Sequence, residues 1–374
     1  MSGIYFHIPF CHKKCNYCDF FSVISNQFID RVVQTEIIEL VLRKSYLESD
    51  IVESIYFGGG TPSVLPINSL KDILKALYDN FVVSSDCEIT LEANPEDLSF
   101  DYLKKIFDIG INRLSIGIQS YSNDILKFLG RNHTNLNINH IVENAKKIGF
   151  VNLSADLIFG LYGFPLNSYI ESLKRIGEMD FQHISAYGLS IEKGTQFYHH
   201  LKQGRMKEIN EEDFIQQFEF TMDYLKSVNF FHYEISSFAK EGFISKHNSS
   251  YWNRTKYLGI GPSAHSFNIS SRQWNVSSII KYINSISNSQ SYYKLEFLTD
   301  TDKYNEYILT GLRTSKGINS NFILKSFDCE IYSYFINKLK CLPMKDCVDI
   351  FENNLVLNRK GILVSDYIIN YFSL

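Results

Sequence analysis

The chain has 374 residues, 45% hydrophobic and 21% charged, with a formal net charge of −4, which describes an ordinary folded protein with one large core and a smaller one. That balance, with no run of five Lys or Arg residues, leaves no electrostatic footprint for a phosphate backbone, so nucleic acid is not expected as a partner. No stretch reaches the roughly 18 consecutive apolar residues of a membrane span, and MSGIYFHIPFC has neither a basic leader nor a small-residue cleavage site; a cytoplasmic protein, not integral to a membrane, is expected.

Strand-like and helix-like patterns alternate through the first 230 residues. IYFHI (4–8) reads as a strand and runs into CHKKCNYCDF, where Cys11, Cys15 and Cys18 form a C-x3-C-x2-C array. A helical pattern at 27–46 precedes the strand SIYFG (54–58), whose end is the glycine-rich GGGTPS; a helix at 67–81 precedes EITLEA (88–93), which carries Glu92 just before Asn-Pro. After a helix at 99–109 comes RLSIGI (113–118), followed directly by Gln119, then a helix at 136–148 stopped by Gly149. LSADLIF (153–159) holds Asp156, a helix spans 166–178, HISAYGL (183–189) holds Tyr187, and a helix spans 210–228. Six β-then-α units in succession imply a parallel sheet with right-handed crossovers. Because the unusual residues follow strand after strand, the arrangement favours a barrel mouth over a flat doubly wound sheet, and the expectation is an incomplete (β/α)6 barrel of the α/β class.

Residues 230–267 read as irregular, mixing Gly, His and aromatics, and 268–292 as weak sequence around a helix. From about 300 a helical pattern, a short hairpin and a last helix suit a small winged-helix-like α+β domain, without the basic face that DNA binding asks for. The expected division is a barrel over 1–230, a closing region with HNSSYW over 231–299, and the small domain over 300–374.

Of the seven cysteines, Cys87, Cys329, Cys341 and Cys347 are scattered and read as incidental thiols. The other three fall within eight residues, a spacing that points to metal or redox chemistry in a reducing compartment. Structural zinc takes four ligands, usually from paired C-x2-C elements, and only one such pair is present here, with His7 and His12 as nearby substitutes. Iron–sulfur clusters take thiolates from tight local loops, and an iron left without a protein ligand is open to a small molecule.

The cysteine array with Tyr17 before its last member, together with GGGTP after the second strand, resembles the radical S-adenosylmethionine (SAM) superfamily. The resemblance implies that Cys11, Cys15 and Cys18 hold a [4Fe–4S] cluster whose fourth iron is chelated by SAM. IYFHIPFC, EANPEDL, GINRLSIGIQS, LGRNH, HISAYGLSIEKGT, HNSSYW and YLGIGPSAHS further resemble the coproporphyrinogen oxidase-like branch, and most of all its heme-chaperone group, across residues 4 to about 318. By that resemblance Tyr5, Gly59, Glu92 and His265 match one SAM site, and Tyr17, Gly60, Thr61, Gln119, Arg131, Asp156 and Gly188 match a second. Arg131 beside His133 suits a bidentate grip on a carboxylate, although Glu92 and Asp156 equally suit buried pairing with Arg113 and Arg131. HNSSYW implies heme as cargo, with His247 as its ligand beside Tyr251 and Trp252.

The sequence departs from the branch in three places. Phe20 stands where the dehydrogenase has a further cysteine, Tyr162 replaces a usual proline, and Pro262-Ser263 replaces a usual Gly-Ala. The first departure favours a heme chaperone without coproporphyrinogen dehydrogenase activity, whose partners are heme, heme-acceptor proteins and an electron donor for the cluster. The alternatives are oxidative decarboxylation of coproporphyrinogen III propionates, and a non-catalytic cluster-binding scaffold.

Overall fold

The structure, a computed structural model, describes residues 2–48 and 50–374. Six strands pair in parallel and in chain order: β1 (Ser2–Ile8), β2 (Val52–Gly59), β3 (Val83–Ala93), β4 (Arg113–Gln119), β5 (Asn152–Phe159) and β6 (His183–Gly188). The crossovers carry helices α1 (Ile29–Leu42), α2 (Ile67–Asn80), α3 (Phe100–Asp108), α4 (Asn123–Leu129), α5 (Ile138–Ile148) and α6 (Leu166–Glu178). After β6 come α7 (Gln196–Lys202) and α8 (Glu211–Ser227).

Successive side chains on a strand point to opposite faces. One set, including Ile4, Phe6, Ile55, Phe57, Leu91, Leu114, Leu153 and Ile184, is apolar, fully buried and part of the main core with the helices. The alternate set is polar: Tyr56 donates to Glu92 at 2.7 Å, Ser115 to Asp156 at 3.0 Å, and Ser154 meets His183 at 2.8 Å. The interior of the curved sheet is therefore a hydrogen-bonded lining. Arg113, 1% exposed, faces Glu88 at 3.9 Å, and its Nε and Nη1 have no hydrogen-bond partner among the described residues, nor has the Thr90 hydroxyl.

The barrel does not close. Beyond β6 lie β8 (Ser237–Ala239) and β7 (Phe231–Glu234), antiparallel, while β1 pairs on its other side with β9 (Tyr257–Ile260) in parallel. The sheet then continues antiparallel through β10 (His265–Phe267), β11 (Ser271–Asn275) and β12 (Tyr293–Phe297), giving twelve strands among the described residues. The irregular reading of 230–267 is thus corrected: these residues hold four strands and α9 (Lys246–Trp252). Strands of three or four residues are too short to display a period, and their glycines and histidines disguise them. Residues 268–292 hold β11 besides the expected helix, α10 (Ile279–Ser287).

The loop GIGPSAH between β9 and β10 is pinned to α1 by Glu39. That carboxylate accepts from Gly261 N–H (2.9 Å), Asn275 Nδ2 (2.8 Å), Tyr282 OH (2.6 Å) and Arg43 (3.3 Å). One turn earlier Glu36 is fully buried with neither oxygen partnered, and burial, then the charge of Glu39, raises its pKa well above the ordinary value.

From residue 300 a second cluster of buried side chains forms among α11 (Asp300–Leu312), β13 (Ile318–Asn319), α12 (Ser320–Ser326), α13 (Cys329–Lys340), β14 (Val348–Phe351), β15 (Asn354–Leu357), α14 (Arg359–Leu363) and α15 (Ser365–Phe372). A capping box between Thr299 and Asp302 starts α11. The expected terminal hairpin is β14–β15. The fold is an incomplete (β/α)6 barrel with a small C-terminal α+β unit.

Candidate functional site

At the C-terminal ends of the parallel strands lies a cavity of about 490 Å3. Its wall contains Cys11, Cys15 and Cys18 from the β1 loop, Gly59, Gly60 and Thr61 from the β2 loop, and Glu92, Gln119, Asp156 and Gly188 from the next four strand ends. Tyr17 and Arg131 complete the set. Twelve of the fifteen residues expected from sequence thus share one cavity, because a curled parallel sheet collects its strand ends.

Backbone close approach explains the glycines. Gly59 has φ +104°, and a Cβ there would lie 2.7 Å from the His7 ring. A Cβ on Gly60 would meet the backbone oxygen of Phe10 at 2.7 Å, and the Gly60 and Thr61 amides donate to Ile8 and Phe10 at 2.8 and 2.7 Å. The glycine loop and the cysteine loop are laced together before any ligand enters. Gln119, at φ +63°, is a non-glycine residue in left-handed backbone at the site.

Side chains extend the lacing into a ring. Thr61 Oγ1 donates to Cys11 Sγ (3.4 Å), Asn94 Nδ2 to Thr61 Oγ1 (3.4 Å), Arg131 Nη2 to Asn94 Oδ1 (2.6 Å), and Arg131 Nη1 to Cys15 Sγ (3.5 Å). Asp97 adds a clamp, meeting His12 of the cysteine loop at 3.0 Å and accepting from Ser63 of GGGTPS at 2.6 Å. Asn16 holds the same loop to α4, donating to Phe128 O at 2.7 Å. Sequence reasoning missed Asn94, Asp97, His12 and Asn16 as positioning residues. The signal available was the EANPEDL stretch, which holds two of them.

Glu92 and Asp156 form no ion pair among the described residues, and Arg113 lies instead against Glu88. Burial lifts Glu92 to about 7 against the lowering bond from Tyr56, and lifts Asp156 against bonds from Ser185 and Ser115. Burial also raises the Cys11 thiol and takes Cys18 up to about 11. Arg131 spends Nη2 on Asn94 and Gly117 (2.7 Å), while its buried Nε has no partner. Among the described residues no three His, Cys, Asp or Glu side chains converge at single-ion distance.

Three expected residues lie outside the cavity wall. Tyr5 donates to or accepts from His7 Nδ1 at 3.1 Å, deeper in the barrel. His265 is exposed on β10 and stacks on Trp274 at 6.2 Å. His247 is 1% exposed at the opposite end of the barrel, with Nδ1 on Ser54 Oγ and Nε2 on Tyr251 OH, both at 2.9 Å. Glu88 accepts from the Lys246 and His247 amides at 3.1 Å and holds the start of α9 there. Burial, then the Arg113 charge, lowers the His247 pKa to about 3, so the ring is neutral and both nitrogens are engaged. Tyr56 links the two ends of the barrel: its hydroxyl holds Glu92, and its ring stacks on His247 at 4.9 Å. Phe20, 62% exposed, stands at the cavity wall.

The profile of the radical SAM superfamily matches residues 5–176. The heme chaperone HemW of Bacillus subtilis (strain 168) is 32% identical over 375 residues, covering 100% of this chain and 99% of that one. The heme chaperone HemW of Lactococcus lactis subsp. lactis (strain IL1403) is 33% identical over 371 residues, with 98% and 93% covered. Among solved structures, the radical SAM enzyme coproporphyrinogen III oxidase (HemN) from Escherichia coli superposes with a TM-score of 0.86 at 24% identity, covering 100% of this chain and 90% of that one, which establishes the shared fold.

Proposed function

The chain belongs to the HemW family within the radical SAM superfamily, and from that premise we propose that it binds heme and delivers it to acceptor proteins, with a [4Fe–4S] cluster and SAM held in the barrel mouth. The observation that carries the site reading is a wall with three thiols of one loop, no fourth, and glycine backbone laced beside them. Cys11, Cys15 and Cys18 are the proposed cluster ligands. When bound, such a cluster with SAM at its open iron supplies single-electron chemistry at the sulfonium.

The protein's part is binding and shielding. Gly59, Gly60 and Thr61 allow a ligand to lie against backbone, and the unpartnered Arg131 Nε suits a carboxylate. Glu92 and Asp156 are placed to accept from ribose hydroxyls, Glu92 being oriented by the Tyr56 hydroxyl. Tyr17, Gln119 and Gly188 line the remaining wall, and Tyr5 and His265 act from outside it. His247 is the proposed heme ligand by its motif; to coordinate iron it must first give up Ser54 or Tyr251. Phe20 in place of a fourth thiol supports a chaperone lacking coproporphyrinogen dehydrogenase activity.

Anaerobic reconstitution is expected to give about four irons per chain, lost in Cys15→Ala. On the same sample, heme titration of wild type and His247→Ala alongside a coproporphyrinogen turnover assay tests the rest. Heme binding without turnover is expected, and robust turnover without heme binding overturns the proposal.

A further inference from the structure

Three rows of residues cross the barrel interior between its two ends. The strand period and the register of β1 against β2 set them: Gly3 beside Ser54, Tyr5 beside Tyr56, and His7 beside Gly58. The first row meets α9, where a Cβ on Gly3 would lie 3.3 Å from the His247 ring. The third borders the cavity, where a Cβ on Gly58 would lie 3.1 Å from Glu92 Oε1. Between them stand Tyr5 and Tyr56, with rings stacked at 6.1 Å.

Tyr56 touches both ends. Its hydroxyl donates to Glu92 at 2.7 Å, and its ring lies 4.9 Å from the His247 ring at an angle of 26°. The Tyr5 ring backs this pair, stacking on His247 at 6.3 Å as well as on Tyr56. Close-packed rings transmit displacement instead of absorbing it, so a shift of Tyr56 is felt at His247.

The His247 ring has two arrangements available. In the one observed, Ser54 and Tyr251 hold both nitrogens. In the other, one nitrogen is released to an iron, and the ring must turn against the face of Tyr56 to get there. Tyr56 can give way when its hydroxyl and the Glu92 carboxylate are free to move together. A carboxylate that also accepts from a bound ribose is no longer free to move.

We propose that Tyr56 is a positioning residue that couples the two ends of the barrel: SAM on Glu92 fixes the Tyr56 ring against His247 and weakens heme binding, and heme weakens SAM by the same factor. SAM occupancy thereby favours release of heme. The coupling rests on the functional reading above, with heme at His247 and the ribose at Glu92.

Heme titrations of the cluster-reconstituted full chain, followed at the Soret band with and without saturating SAM, test it. In wild type, SAM is expected to raise the heme Kd about tenfold, and heme to raise the calorimetric SAM Kd equally. Tyr56→Phe keeps the ring stack and removes the bond to Glu92, so SAM should change its heme Kd by less than about twofold. Because the coupling is a ratio, a uniform loss of SAM affinity in that variant does not enter it. Ser54→Ala leaves His247 Nδ1 without its partner in the observed arrangement, and heme should bind about threefold tighter without SAM. A purely structural role for Ser54 gives equal or weaker binding, and that result overturns the proposal. So does a wild type that binds both ligands independently or cooperatively, or a coupling that survives in Tyr56→Phe. A wild type that binds no heme sinks the functional reading itself.

Discussion

Glu36, fully buried, and Glu92, half-buried at the cavity wall, are carboxyls with opposite prospects. Glu36 has no donor for either oxygen, and its raised pKa means that the folded chain holds a proton that the unfolded chain releases. Stability is therefore lost as pH rises above the ordinary glutamate range. Glu36→Gln removes that liability at constant shape and is expected to stabilise the protein at pH 7 by about 1 kcal/mol, seen as a Tm rise of about 2 °C; an unchanged or lower Tm contradicts this account. Glu92 reaches about 7 chiefly by burial. Its ionised form is the better acceptor for ribose hydroxyls, and that form grows as pH passes 7. SAM affinity of the reconstituted protein, followed by calorimetry, is expected to rise about tenfold between pH 6 and pH 8 and to flatten in Glu92→Gln.

Loops, rather than strands, carry the coupling at the site. Asn94 is the member of the hydrogen-bonded ring that joins Thr61 to Arg131, and so links the cysteine loop, the glycine loop and the turn after α4. Asn94→Ala leaves the strands intact, and Tm is expected to shift by no more than about 2 °C. Iron retention against a chelator should fall about tenfold, as loss of an outer partner does at metal sites. Retention equal to wild type would show that the cysteine loop holds its shape unaided. The cysteines and GGGTPS were legible in the sequence because each is a local cluster of unusual residues. The ring was not, since its bonds span 33 to 116 positions and are set by curvature. For the same reason motif matching reached Tyr5, His265 and His247 without revealing that they lie outside the cavity wall.

For the whole molecule, the six parallel units were readable from alternating periods, while most of the six strands added at the two edges, of three to five residues in length, were not. Edge pairing depends on what the rest of the chain leaves uncovered, which no local pattern encodes. The C-terminal unit covers one edge through Arg313 and Ser315, and Glu306 of α11 meets Arg272 and, at 3.9 Å, Arg254. A chain ending at Leu298 uncovers β7 and strands both arginines. It is expected to scatter light at concentrations where the full chain stays clear, and equal clarity would mean that β7 needs no cover.

The polar lining of the barrel has a calorimetric consequence. Unfolding hydrates Arg113, Glu88, His183, Ser154 and their neighbours along with the apolar outer rows. Exposed polar surface lowers the heat-capacity increment while apolar surface raises it. Per residue, that increment should fall below the usual value of about 12–15 cal/mol/K, and the stability curve should be correspondingly shallow, with a weaker decline toward low temperature.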